Sequence, residues 1–172
     1  MIKAGRRPSK KFVMRVETAP PEIAARLSAA PDELVVQRTL YQYVDDEPWS
    51  RERSYFALDL AHQTGIDTPH DISHGTLRRL REAGFGEIAF VDEVTDENAG
   101  PDDAADLAIP IGSSLLVQTR TGATAQRVTR VAQTVRVGGR NRLVWEMGDP
   151  NGLDVIRAAR QVALGKGPEV IQ

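Results

Sequence analysis

The side chains of this chain best suited to chemistry are arginines set at alternating positions in runs that are otherwise β-branched or small. Arg38 alternates with Leu40 and Gln42, and Arg130 and Arg136 share their parity with Ala132 and Thr134. In a strand, residues two apart point to the same face, so each of these sets lies on one side of a sheet. By the same period Glu52 and Ser54 point with Phe56, opposite to Arg51, Arg53 and Tyr55. Unpaired charge on a buried face is costly. Such a face is therefore either open to solvent or shaped around an anion. Glu52 has two readings, an ion pair with an arginine across the sheet or a contact to a ligand, with acid–base work available to it if it is buried. Thr76 adds a hydroxyl beside the unbonded N–H groups of a helix start, a second feature that suits an anion.

Other chemistries find little support. His62, His70 and His74 fall close together, with Asp67 and Asp71 nearby. The His70–His74 stretch, HDISH, starts in a proline-containing loop and is not the helical HExxH pattern of a zinc site, so a surface loop explains it and no metal is expected. The nucleophile elbow, the P-loop and the dinucleotide fingerprint are all absent, and VGGRN reads as a turn between strands. No cofactor is expected. The chain has no cysteine, which removes disulfides, thiolate nucleophiles and Cys-ligated zinc.

With 172 residues the chain has room for one domain that buries about 70% of its unfolded surface. The balance of 22 basic and 24 acidic residues, a net charge of −2, argues against nucleic-acid binding through overall charge. Apolar runs fall short of the roughly 20 residues that cross a bilayer, and MIKAGRRPSKKF has no apolar core of a leader, so a cytoplasmic protein without membrane contact is expected.

These side chains need elements to hold them. Residues 1–14 read as a basic arm or linker, with Lys3, Arg6, Arg7, Lys10 and Lys11 solvated and a strand beginning near Phe12. TAPPEIAARLSAA has the spacing of a short amphipathic helix. The stretch from Val35 to Leu60 forms a hairpin about the turn Asp45-Asp46. HQTGIDTPHD reads as a loop, and SHGTLRRLREAG as a helix with Ser73 or Thr76 available to cap and Gly84 to stop it. A strand over 87–95 and a short helix in DDAADLA follow. Three strands, SLLVQTRTGA, QRVTRVAQTVRV and NRLVWEMG, should then form a meander turning at Gly122 and at Gly138-Gly139. Residues 149–172 form a helical extension, whose stripe of Leu153, Ile156, Ala159 and Ala163 should be buried. No internal repeat is evident. Strands dominate and hairpins join them, which points to an α+β fold, an antiparallel β-sheet with flanking short helices.

In order, the stretches VVQRTLYQYVDDEPWSRERSYFALDL, HGTLRRLREAG, DDAADLAIPIGSSLLVQTRTG and TVRVGGRNRLVWEMG resemble the UTRA domain of GntR-type transcriptional regulators of the HutC subfamily. The likeness covers about residues 15–148. It implies a chorismate-lyase-like fold that binds a small effector in a pocket beside the sheet and forms a homodimer. Effector binding would alter how a winged helix-turn-helix grips DNA. No stretch before residue 15 has the length for that DNA-binding module, so it is expected to be absent from this chain.

The resemblance also implies site residues. Glu52 and Ser54 match the family's P...E.S stretch, and Thr76 its hydroxyl residue at a helix start. Positions that grip phosphate in some members fall at Leu40 and Gln42, with Arg38 on the same face. The family's late-strand Glu and Tyr fall at Arg130 and Arg136, and the Asp of its DR pair at Gly139, leaving Arg140. A ligand-binding set of Arg38, Gln42, Glu52, Ser54, Thr76, Arg130 and Arg136 results, suited to a carboxylate or other anion more than to a sugar phosphate. Two alternatives stay open: an enzyme on the same fold, with an arginine binding a carboxylate and Glu52 as acid, and a stand-alone ligand-sensing or assembly module.

Overall fold

Two prolines begin two short helices in the same way. Pro21 and Pro101 stand in the first turn, where the missing N–H costs no hydrogen bond, and the helices end on Ser28 and Ala108, both left-handed at φ 56° and 51°. The computed structural model describes residues 6–163. They form β1 (Pro8–Thr18), α1 (Pro21–Leu27), β2 (Leu34–Val44), β3 (Glu47–Ala57), α2 (Leu58–Thr64), α3 (Thr76–Glu82), β4 (Ala89–Asn98), α4 (Pro101–Leu107), β5 (Ser114–Ala123), β6 (Val128–Val137) and α5 (Pro150–Ala163). One six-stranded sheet runs β1-β2-β3-β6-β5-β4, and every pairing in it is antiparallel. The α+β antiparallel class expected from the sequence is the one observed.

The helix pair is part of a larger duplication. Val35 pairs with Ala57 and Leu115 with Val137, while Val13 pairs with Thr39 and Glu93 with Thr119, so the register recurs at an offset of 80 residues. Each half is a β-α-β-β unit, and Arg53 faces Gln133 on the pseudo-twofold axis between them. The expectation of no internal repeat is thus corrected. Its trace in the sequence is confined to identities such as Ala19/Ala99, Pro21/Pro101, Ala24/Ala104 and Leu27/Leu107. Elsewhere the two copies carry different side chains on the same backbone.

The two faces of the sheet differ in kind. On one, α1 buries Ile23, Ala24 and Leu27 against Val35, Tyr55 and Val131, and Leu107 of α4 covers Leu115, Val117, Val135 and Val137. Among these apolar side chains Arg51 is 3% exposed, bonded to Asp103 and Asp106 at 2.8 Å each. On the other face α2 and α3 bring Leu60, Ala61 and Leu80 onto Val36 and Phe56, leaving the β6-β5 half of that face uncovered by helix. Glu52, Ser54, Ala132, Thr134 and Arg136 lie on this second face, as their register requires.

Several local expectations are revised. Residues 8–11, read as arm, pair with β2 from Pro8↔Val44 onward, because the exposed edge of β2 accepts a strand whatever its side chains; Lys3 lies outside the described residues. The entry is fastened further at the hairpin turn, where Asp45 and Asp46 adopt φ 54° and 65°. The Asp45 carboxylate accepts from the Arg7 backbone N–H and from Arg6 Nε, each at 2.9 Å, and the Arg6 guanidinium lies 5.2 Å from the Trp49 ring centre. His62–Thr64, read as loop, finish α2, which buries Leu60, Ala61 and Thr64 at helical spacing. Neither Ser73 nor Thr76 caps α3; Gly75 occupies that position. Gly122 lies inside β5, and the turn falls after it, where Thr124 bonds Arg127. NRLVWEMG joins no ladder, since β6 already has β3 on one edge and β5 on the other. Of the α5 stripe, Leu153 is half-buried while Ile156 and Ala159 are exposed in this chain, Ile156 by 55%, and the surroundings of Ala163 lie outside the described residues.

Removing the Arg51 guanidinium leaves two carboxylates facing an apolar layer. Arg51→Ala is expected to cost about 3 kcal/mol in urea unfolding, against about 1 kcal/mol or less for the more exposed Arg53→Ala. On the outer ladder Arg120 grips Asp92, directly opposite it, at 2.8 and 2.6 Å. The Arg120 hydrogen bonds hold the Asp92 carboxyl below the usual carboxylate range. A depressed folded-state pKa contributes stability above the unfolded value, and that stability is lost as pH falls through the folded value. Unfolding free energy should therefore drop as pH falls below about 4, and Asp92→Asn should flatten the drop.

Candidate ligand-binding site

The uncovered part of the second face is the floor of a cleft of about 400 Å³. β3 contributes Glu52, β6 contributes Arg130, Ala132, Thr134 and Arg136, and β5 contributes Gln118 and Arg120. Leu77 of α3 forms one wall, and Leu143, Val144 and Trp145 from the segment after β6 form the other. That segment, with no sheet edge open to it, crosses the cleft as a strap. The volume is within the usual range for small-ligand sites, roughly 300–1,000 Å³.

The charges in the cleft are held in different ways. Arg120 is bound to Asp92 and stacks on Phe90, with 4.1 Å between the guanidinium carbon and the ring centre. Arg130 is 8% exposed and donates to Glu87 at 3.1 Å. Glu87 reaches it by crossing over Gly122, where a Cβ would collide with the carboxylate. Glycine leaves the space in which the Glu87 carboxylate lies, and a larger residue would push that flexible side chain aside. Arg136 differs. Its Nη1 donates to Gln118 Oε1 at 3.1 Å, and among the described residues no carboxylate lies within ion-pair distance of it. Burial pushes its pKa down, with Glu52 and Asp92 acting against that from a distance. Glu52 accepts the Ser54 hydroxyl at 3.0 Å and likewise has no ion-pair partner among the described residues.

Of the residues singled out from sequence, Glu52, Arg130 and Arg136 line the cleft together. Ser54 is buried behind Glu52 and orients it. Thr76 is half-buried and adjoins Leu77. Arg38 lies elsewhere: its guanidinium donates to the backbone oxygens of Ile66, Thr68 and His70 at 2.7–2.9 Å and stacks on Phe12, so it ties the α2–α3 loop to the sheet. Gln42 is exposed and accepts from Ser50 at 2.5 Å near the hairpin end. Sequence reasoning passed over Gln118 and Arg120, although their alternation within SLLVQTR carries the period-two signal used for the other arginines. Nothing local marked Leu77 or Trp145, which the tertiary fold delivers. His62 bonds Asp67 at 2.6 Å, and among the described residues no group of three His, Asp or Glu side chains converges on a metal position.

This architecture has solved counterparts. A protein assigned to the GntR family of transcriptional regulators superposes with a TM-score of 0.75 at 19% identity, covering 86% of this chain and 61% of that one. This chain therefore spans less than two thirds of that protein's length. The C-terminal domain of the histidine utilization repressor from Pseudomonas syringae pv. tomato str. DC3000 aligns over its whole length and 83% of this chain, with a TM-score of 0.70 at 19% identity. The effector domain of PhnF from Mycobacterium smegmatis gives a TM-score of 0.69 at 16% identity, over 84% of this chain and 90% of that domain. Identities this low establish a shared fold and nothing finer. No curated protein sequence matches the chain. The sequence itself matches the UTRA domain over residues 3–140, most of its length, and on that match the chain belongs to the UTRA domain family.

Proposed function

We propose that the chain is the effector-binding domain of a GntR-type transcriptional regulator of the HutC subfamily, with its small-molecule effector seated in the cleft under the strap. The observation that carries this is Arg136, a half-buried cation that faces the cleft and has, among the described residues, an amide but no carboxylate for a partner. A ligand with an anionic group would complete it. Glu52, Arg130 and Arg136 would meet the ligand, Ser54 would orient Glu52, and Thr76 would stand at the α3 wall. Arg38 and Gln42 are better explained by the backbone oxygens and the Ser50 hydroxyl they already bind.

Regulation follows from linkage. An effector that binds one conformation of a homodimer better than another shifts the population toward it, and a winged helix-turn-helix coupled to that dimer changes its grip on DNA. Work on DNA in a cytoplasmic regulator accords with a fold in which no described helix is long and apolar enough to cross a membrane. Binding without turnover is the simpler chemistry here. Among the cleft's lining residues there is no histidine, and the single hydroxyl, Thr134, has only Glu52 for a base. A dimer contact is supported at β4, an edge strand that exposes Phe90 and Val91 by 57% and 61%, beside Ile88 at 73%.

A panel of small carboxylates tested by thermal shift checks the site. A true effector at 100 times its Kd should stabilise the chain by about 2.7 kcal/mol. Arg136→Ala should lose the shift, and Gly122→Ala, which displaces Glu87 from Arg130, should change it. A shift retained in both variants would put the ligand elsewhere. For assembly, light scattering should report a dimer that Val91→Lys converts to monomer; a monomeric parent chain would remove the proposed mechanism.

A further inference from the structure

The charges around the cleft cancel in pairs, with one pair left over. Arg120 is neutralised by Asp92 and Arg130 by Glu87, both at hydrogen-bond distance. Arg136 and Glu52 remain, one cation and one anion on the same floor, neither ion-paired among the described residues. Their neighbouring hydrogen bonds, more than the register, keep them from closing into an ion pair. Glu52 faces Thr134, and Arg136 faces Ser50, so the two are diagonal neighbours, and each is turned aside by a hydrogen bond, Glu52 to Ser54 and Arg136 to Gln118. Diagonal partners in an antiparallel pair stand roughly 7–8 Å apart at Cα, so a small ligand lying over Thr134 is within reach of both side chains, with one group toward each.

A purely anionic ligand suits this arrangement poorly. It would satisfy Arg136 but bring a second negative charge beside the Glu52 carboxylate, which disfavours the charged forms of both. A phosphate, with more charge to place, would find the other two arginines already neutralised. A ligand carrying both signs leaves no charge unanswered. The two walls above that floor are apolar, Leu77 on one side and Leu143, Val144 and Trp145 on the other, and would take a short hydrocarbon or ring between or beyond the charged groups.

We propose that the cleft recognises a small amino-acid-type zwitterion, its carboxylate on Arg136 and its protonated nitrogen on Glu52. This rests on the reading of the cleft as the effector site, and narrows the expected anionic ligand to one that also carries a cation. The opposite charges act as a filter, since each rejects the ligand that satisfies only the other.

The test is a thermal-shift and calorimetric screen of the full chain with α- and ω-amino acids, each matched with its deaminated carboxylate and its decarboxylated amine on the same skeleton. At least one zwitterion should bind while its matched acid and amine bind about tenfold more weakly or worse. Glu52→Gln should shift preference toward the acid, and Arg136→Gln toward the amine. This reversal is a readout that mere loss of folding would not produce. Binding of a matched carboxylate as tight as its zwitterion, abolished by Arg136→Gln and unmoved by Glu52→Gln, would overturn the zwitterion and leave the effector cleft standing. Zwitterion binding untouched by either substitution would overturn the cleft itself. Failure of every amino acid to bind would also overturn the proposal.

Discussion

Six residue pairs between β3 and β6, from Ser50↔Arg136 to Tyr55↔Val131, hold the two halves of the sheet together, and the rest of the molecule depends on their register. On each side lies a three-stranded meander carrying its own helix. A slip of one residue would turn Arg136 and Thr134 toward the apolar layer under α4 and bring Val135 and Val137 into the cleft. Two features resist that slip. Tyr55 and Val131 are both locked into the packing against α1, and Arg51, one pair in from the other end, is tied by two carboxylates to α4. The core on one face thus sets the geometry of the charged site on the other.

The duplicated backbone makes the asymmetry of the two halves easier to see. Position for position, Ser54 corresponds to Thr134, Phe56 to Arg136, Arg38 to Gln118 and Leu40 to Arg120. In the first half that patch is filled: Phe56 packs under α2 and α3, and Arg38 is used up on three backbone oxygens. In the second half no helix pair arrives, Phe56 has become Arg136, and the same area of sheet becomes a cleft. One copy fills that patch with packed side chains while the other leaves it open as the cleft.

The strands, α1, the α3 helix and α4 were legible in the sequence because each depends on local information: alternation, a proline at a helix start, glycine at an end. The Asp45-Asp46 turn was legible for the same reason. Residues 8–11 and NRLVWEMG were misread in opposite directions by one cause. Strand formation needs a free edge as well as a suitable sequence; β2 had one to offer the lysines of β1, and β6 had none for the apolar segment that follows it. At the site, parity found Glu52, Arg130 and Arg136. It could not tell Arg38 from them, since whether an arginine meets solvent, ligand or a loop's carbonyls is decided by residues far along the chain, here Ile66 to His70.

The clasp between Arg6, Arg7 and Asp45 has a mechanical meaning. From Glu52 the β2–β3 hairpin runs back to its tip over about 20 Å, with a bulge where the register shifts between Gln42 and Tyr43 and with β1 paired along β2 as far as Pro8. At that tip the incoming chain is bound through its backbone and a guanidinium, so residue 7 travels with the hairpin and not independently of it. The clasp therefore ties the position of residue 7 to the β2–β3 turn, at the end of the same strand that carries Glu52 to the cleft.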